Sequence, residues 1–428
     1  MQELTRFSLM RNVNLTCVKS AKFKTACLSL NFLTPLDRTT ASKSALLPKV
    51  LLRGTSHHPD MESLAAATDE LYGAQISPLV RKKGEVLCIG FYADFADDDF
   101  VPRGTNVLEN TAALLGELLL EPATKNGKLL QEYVDSEREN LLDEIRSLVN
   151  NKRMYAMRRL SEEMCAGEKY GISKLGTESA AKKITATGLT KHYKELIASA
   201  PLEIFYCGNA EPQRVRDALE NALSALPRSE VRGVPATELR LEPGRQEMRV
   251  VREQLDVQQG NLAIGFRMGS AMLSPSYPAI AVFNSLYGGS VTSRLFLNVR
   301  EKMSLCYYAG STVEVFKGVM LVSSGIEPAN YDVALSEILR QLEGVKQGDF
   351  SDEELENARR DAITSCSTVS DDPTRLENFY LDRVLTGLMC SPEEFASLLR
   401  EVRKQDVVRM AENIRVDTVY FLTGKEEA

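Results

Sequence analysis

A chain of 428 residues is longer than one hydrophobic core usually organises, so roughly two to four domains are expected. Apolar residues make up 43% and charged residues 26%, a balance typical of a globular protein, and the net charge of −7 argues against a general nucleic-acid binder, which needs a basic excess. No apolar run reaches the roughly 20 residues that span a bilayer, and the first residues lack an apolar signal core, so a cytoplasmic protein with no membrane role is expected.

In chain order, Ala26–Leu33 reads as a strand, followed by a helix that runs to Gly54. Glu132 to Met164 has apolar residues at three-to-four spacing and reads as a long, polar-rich helical stretch. A helix from Ile184 then leads through Ala200 and Pro201 into the apolar strand Leu202–Cys207, stopped by Gly208. Pro227 to Gln246 holds three prolines and two glycines with little periodicity and reads as a linker. Beyond it the pattern repeats. Asn261–Phe266 is strand-like, a helix runs to Gly288, Glu353 to Val384 reads as a second long helical stretch, and a helix from Gln405 leads into the strand Thr418–Leu422 before Gly424. The sequence therefore predicts an α+β fold: two homologous mixed or antiparallel sheet domains with helices packed on one face, residues 1–226 and 247–428, joined by 227–246. The eight cysteines are scattered without a C-x-x-C pair, mostly in apolar stretches, as expected for buried thiols in a reducing compartment.

Three strings carry a resemblance. The first is Leu51-Leu52-Arg53-Gly54-Thr55 with Pro59-Asp60 and Leu71-Tyr72-Gly73-Ala74. The second is Tyr287-Gly288-Gly289-Ser290-Val291-Thr292-Ser293-Arg294-Leu295-Phe296, running on to Arg300 and Tyr307. The third is the acidic run Glu137 to Ile145. Together they are similar to the insulinase/pitrilysin family of zinc peptidases, especially its short processing-peptidase-like branch, across about residues 22 to 424. The resemblance implies half of a clamshell.

Family members that cut peptides carry H-x-x-E-H on the helix before the Gly-Thr. Two imidazoles one turn apart bind zinc, and the glutamate takes a proton from the metal-bound water. Here the two histidine positions fall on Ala45 and Lys49, and the general-base position on Pro48. Alanine and proline have no donor atoms, and an ammonium repels a dication. The resemblance makes Glu144 the position of the third zinc ligand and Glu137 its support. The plainer reading of that helix is an acidic, solvated face. Lys49 is expected to pair with Glu144 or Glu137, a cation standing in for a cation. Of the three histidines, His57 and His58 are expected to decorate a loop and His192 to lie on a solvated helix face. No metal or cofactor is therefore expected on this chain.

Arg300 and Tyr307 match an Arg/Tyr pair with which family peptidases hold the substrate carbonyl and the oxyanion; the plainer reading is a surface Arg-Glu-Lys cluster and a tyrosine at a sheet margin. On a strand Tyr308 would point the opposite way. Gly288, Gly289 and Ser290 are expected to leave backbone accessible for substrate. A strand around Ala74–Val80 corresponds to the edge at which the family takes up extended peptides, and Pro78 interrupts it.

The resemblance implies a zinc-less, non-catalytic subunit that supplies Arg300 and Tyr307 in trans to a zinc-bearing paralogue and helps enclose a peptide. It is similar to a bacillus-type member of the family associated with aminopentanol modification of elongation factor P. The alternatives are a peptide-binding or scaffold protein without any peptidase role and an autonomous zinc peptidase with an unrecognised site.

Overall fold

Both long helical stretches break, and the breaks set the domain organisation. In the first, Asn151 turns out of the helix and its side chain accepts from the Met154 N–H at 3.1 Å, so Gln131–Ser147 and Lys152–Met164 are separate helices. In the second, Asp372 accepts from the Thr374 N–H at 2.8 Å and Pro373 opens a new helix, which separates Asp352–Ser367 from Pro373–Thr386. The computed structural model describes residues 3–228 and 232–424. It divides into two compact units, neither contiguous in sequence. The first comprises the chain to Arg146, Ile172–Ala236 and Asp372–Leu385; the second comprises Ser147–Gly171, Thr237–Asp371 and the chain from Thr386 onward. The contiguous division at 227–246 thus differs from the structure by two exchanged helical segments, because each capped break frees the following helix to join the other unit. Residues 229–231 of the expected linker lie outside the described residues.

The two large sheets share one topology. In the first, the order is Glu3–Met10, Val13–Lys19, Leu202–Gly208, Thr25–Pro35, Val86–Ala96, Gln75–Lys83. In the second, it is Arg249–Gln254, Arg415–Thr423, Gly260–Arg267, Val319–Ile326, Cys306–Glu314. Once the additional edge strand Glu3–Met10 is set aside, strand order and directions match. Val13–Lys19 runs parallel to Leu202–Gly208 as Arg249–Gln254 runs parallel to Arg415–Thr423, and the remaining pairs are antiparallel. The fold class is α+β, two such sheets with helices packed on them.

Side-chain alternation shows where the exchanged helix sits in the second unit. Ala156 and Leu160 pack against Ala263, Tyr420 and Leu422. Phe421, which alternation turns to the opposite face, packs against Tyr331 at the start of Tyr331–Lys346. That sheet therefore carries helices of its own half on one face and the exchanged helix on the other, an addition to the one-sided packing expected. In the first unit, Leu381 of the exchanged helix packs with Leu33, Leu79, Val86 and Cys88, and Glu377 accepts from Ser29 and Asn31 at 2.9 and 3.0 Å. Among the described residues, no helix is long and apolar enough to cross a membrane.

Candidate functional site

Ala41–Leu51 is the helix that holds the three positions matched to the family's zinc motif. Ala45 is fully buried, Pro48 lies inside the helix and is buried, and Lys49 is partly exposed. The Lys49 ammonium forms an ion pair with Glu144 Oε2. One turn on, Arg53 Nη1 donates to Glu137 Oε1 at 3.2 Å, and its guanidinium lies 5.3 Å from the Tyr133 ring centroid. Asn140 Nδ2 donates to the other Glu137 oxygen at 3.1 Å. Lys49 lies in the last turn of its helix and Arg53 in the turn just past the C-cap Leu52, while 137 and 144 are two helical turns apart, so the end of one helix and its following turn face the other helix through two cation–carboxylate pairs. Glu137 is buried, so the solvated reading of its helix face does not hold there; Glu144 keeps 42% of its side chain exposed. Sequence reasoning missed Arg53, although its position four residues after Lys49 was the available signal.

These residues do not fit zinc. Two of the three triplet positions offer no donor atom, and the third brings a positive charge to the remaining carboxylate. Among the described residues, no group of three or more His, Cys, Asp or Glu side chains could hold a metal ion.

The histidines are held by other contacts. His58 Nδ1 lies 2.9 Å from Glu117 Oε1 and His57 Nε2 3.2 Å from Glu121 Oε2, which fastens their turn to the end of Val107–Leu120. His192 corrects the sequence reading: it is buried, with Nε2 3.0 Å from Ser44 Oγ on the degenerate helix. Burial first and the nearby Lys43 charge second push its pKa down to about 4, against a smaller opposing effect of Glu195.

Arg300 and Tyr307 lie on one segment of the second unit. Two wide helical turns, Ser285–Gly289 and Leu295–Lys302, flank Ser290–Arg294, and Met303 N–H reaches back five residues to Asn298 O. Gly288 serves close packing, whereas Gly289 is exposed. A Cβ at buried Gly288 would stand 2.7 Å from the Ser311 nitrogen, and one at Gly289 would stand 2.5 Å from Asn284 Nδ2. Ser290 Oγ donates to Ser285 O at 3.0 Å, and Arg294 anchors the turn through Gln341, Asp349 O and Glu354. Arg300 is partly exposed, with its guanidinium 4.6 Å from the Phe296 ring centroid and 3.6 Å from Glu301.

Tyr307 is 65% exposed and is the extra residue of a β-bulge: Cys306 pairs with Ile326 and Tyr308 with the next residue, Gly325. Tyr308 is half-buried, its hydroxyl donating to Asn261 Oδ1 at 2.9 Å. In the first unit, Gln75–Lys83 is an edge strand with Pro78 opposite Phe91. Its outer features are partly engaged: Lys174 Nζ donates to Val80 O at 3.2 Å, Arg81 pairs with Glu377, and Lys83 pairs with Asp382.

Against known proteins, the family described as the peptidase M16 inactive domain matches residues 183–361. A "probable inactive metalloprotease", YmfF of Bacillus subtilis, is 34% identical over 411 residues, 96% of each chain. A crystal structure of a conserved protein from Enterococcus faecalis superimposes with a TM-score of 0.89 at 26% identity over 99% of both chains. The crystal structure of a peptidase M16 inactive domain from Pseudomonas fluorescens has a TM-score of 0.81 at 16% identity, covering 99% of this chain and 98% of that one.

Proposed function

The chain belongs to the insulinase-type M16 peptidase family as one of its inactive members, and we propose that it works as the zinc-less subunit of a two-chain peptidase. In this reading a zinc-bearing paralogue supplies the metal, and this chain supplies Arg300 and Tyr307 in trans and helps enclose an unfolded peptide, in the cytoplasm.

The observation that carries the reading is an asymmetry between the two units. On one, Lys49 and Arg53 neutralise the carboxylates that a metal site would use. On the other, Tyr307 stays 65% exposed on a bulge while Tyr308 beside it is tied down. A guanidinium and a phenol hydroxyl can both donate to a developing oxyanion, and a chain that keeps that pair and lacks the metal can act only with a metal-bearing partner. A link to elongation factor P modification would name one setting for such a pair.

A peptidase assay with and without the zinc-bearing paralogue, combined with metal analysis of each chain, tests the proposal. Activity is expected only in the mixture, falling at least tenfold with Arg300→Ala or Tyr307→Phe, with zinc only on the partner. Stoichiometric zinc on this chain alone would overturn it. A second reading is a peptide-binding or scaffold protein without any peptidase role, and of these the engaged edge strand, where Pro78 lacks a donor and Lys174 occupies the Val80 carbonyl, favours the scaffold. Mixture activity indifferent to both substitutions would decide for that reading.

A further inference from the structure

Tyr307 stands out because the residue after it is fixed at several points. The Tyr308 hydroxyl donates to Asn261 Oδ1 at 2.9 Å, and Asn261 Nδ2 donates to Gln259 O at 3.2 Å, which sets the amide orientation. The Tyr308 carbonyl accepts from Ser324 Oγ at 3.0 Å. One face of the Tyr308 ring is covered by the Arg153 guanidinium, 4.3 Å from the ring centroid, and Arg153 Nε donates to Ser323 Oγ at 3.2 Å. The ring also crosses Gly325, where an added Cβ would stand 2.4 Å from Tyr308 Cε1, so only glycine leaves room for it. Gly325 is also the strand partner of Tyr308 across the bulge. Burial keeps the Tyr308 hydroxyl protonated, its pKa pushed up to about 12, so it remains a donor to Asn261.

A bulge leaves one residue outside the ladder, and its direction depends on how firmly its neighbours are held. We propose that Arg153, Tyr308 and Gly325 are positioning residues that lock the bulge and aim the Tyr307 hydroxyl away from the sheet. Arg153 belongs to Lys152–Met164, the helix exchanged from the first half of the sequence. The exchange therefore gives the second unit a support for Tyr307 that its own half of the sequence does not provide. The aim of Tyr307 can be tested on this chain alone; its use rests on the trans-donor reading above.

3-Fluorotyrosine placed at position 307 reports that aim by fluorine NMR on the isolated full chain. Tyr308→Phe, which keeps the ring and removes only the Asn261 hydrogen bond, and Arg153→Met are each expected to shift the 307 resonance or split it. Gly325→Ala should give a larger change. In the mixture with the zinc-bearing paralogue, Tyr308→Phe is expected to lower kcat about tenfold with KM little changed, a geometry effect rather than a binding effect. An unaltered 307 resonance in folded Tyr308→Phe and Arg153→Met chains overturns the proposal whatever the assay shows. So does unchanged kcat in Tyr308→Phe where Tyr307→Phe abolishes activity. If the resonance moves but Tyr307→Phe leaves mixture activity intact, positioning stands and the trans-donor function falls.

Discussion

Glu168→Gln should be among the most damaging conservative changes in the second unit. The Glu168, Arg267 and Lys317 side chains are 3%, 3% and 0% exposed. Glu168 accepts from Arg267 at 2.5 Å and from Lys317 at 2.7 Å, while Arg267 also reaches Asp417 at 2.9 Å and Arg240 O at 3.1 Å. Glutamine keeps the shape but removes the carboxylate charge that buried Arg267 and Lys317 share. Breaking a buried pair from one side costs about 3–5 kcal/mol. For a unit of roughly 150–250 residues, that lowers Tm by roughly 6–20 °C. The knot joins the end of the exchanged helix, the central strand Gly260–Arg267 and the turn before Val319, so the loss should appear as faster hydrogen exchange in those three segments. Burial raises the Glu168 pKa, but the hydrogen bonds and charges of Arg267 and Lys317 outweigh it and hold the carboxyl below the ordinary range. A depressed carboxylate stabilises above its unfolded value and loses that contribution as pH falls through the folded one. The gap between wild type and variant should therefore persist at pH 7 and narrow below about pH 4. A cost under about 1 kcal/mol, with exchange in Gly260–Arg267 unchanged, would refute the assignment of the knot as what fastens the exchanged helix.

Other expectations follow from single contacts. A double-mutant cycle of Lys49→Met and Glu144→Gln should give a coupling of only about 1 kcal/mol or less, weakened by salt, because Glu144 is 42% exposed; urea titrations at low and high salt measure it. The triple variant Ala45→His, Pro48→Glu, Lys49→His should take up about one zinc per chain by metal analysis, with Glu144 as third ligand, at an overpacking cost of roughly 1–3 kcal/mol at fully buried position 45. A folded triple variant without zinc would separate this helix from the metal helix of the active relatives. His192, held at about 4 rather than 6.5, favours the neutral form in the fold, so its contribution is complete above pH 6.5 and falls away toward pH 4, by about 3 kcal/mol in all. His192→Gln should flatten the stability profile in that window, read by denaturation at a series of pH values.

Periodicity was enough to show the duplication and the α+β class, and the family resemblance implied the degenerate triplet and the counter-charge at Lys49, because each depends on residues close in sequence or on an absent donor atom. The same reasoning misjudged His192, which looked solvated between charged neighbours. Helix Ala186–Ser199 turns that one position toward Ser44, 148 residues away. It also assigned Gly288 to open backbone, where the close approach of Ser311 requires it. In both cases the deciding neighbour lies on another element.

What the sequence determined by itself is chemical. Ala45 and Pro48 cannot ligate a metal in any fold, and Arg300 and Tyr307 can donate wherever they stand. What only the tertiary structure decided is placement. The helix breaks at Asn151 and Pro373 are written in the sequence, but the unit each following helix joins is set by long-range packing: Leu160 on Ala263 and Tyr420, Glu377 on Ser29 and Asn31. Tyr307 stands exposed on the bulge while Tyr308 beside it is held by Asn261 and by Arg153 from the exchanged helix. Local periodicity records which side of a helix is apolar but not which sheet it will cover.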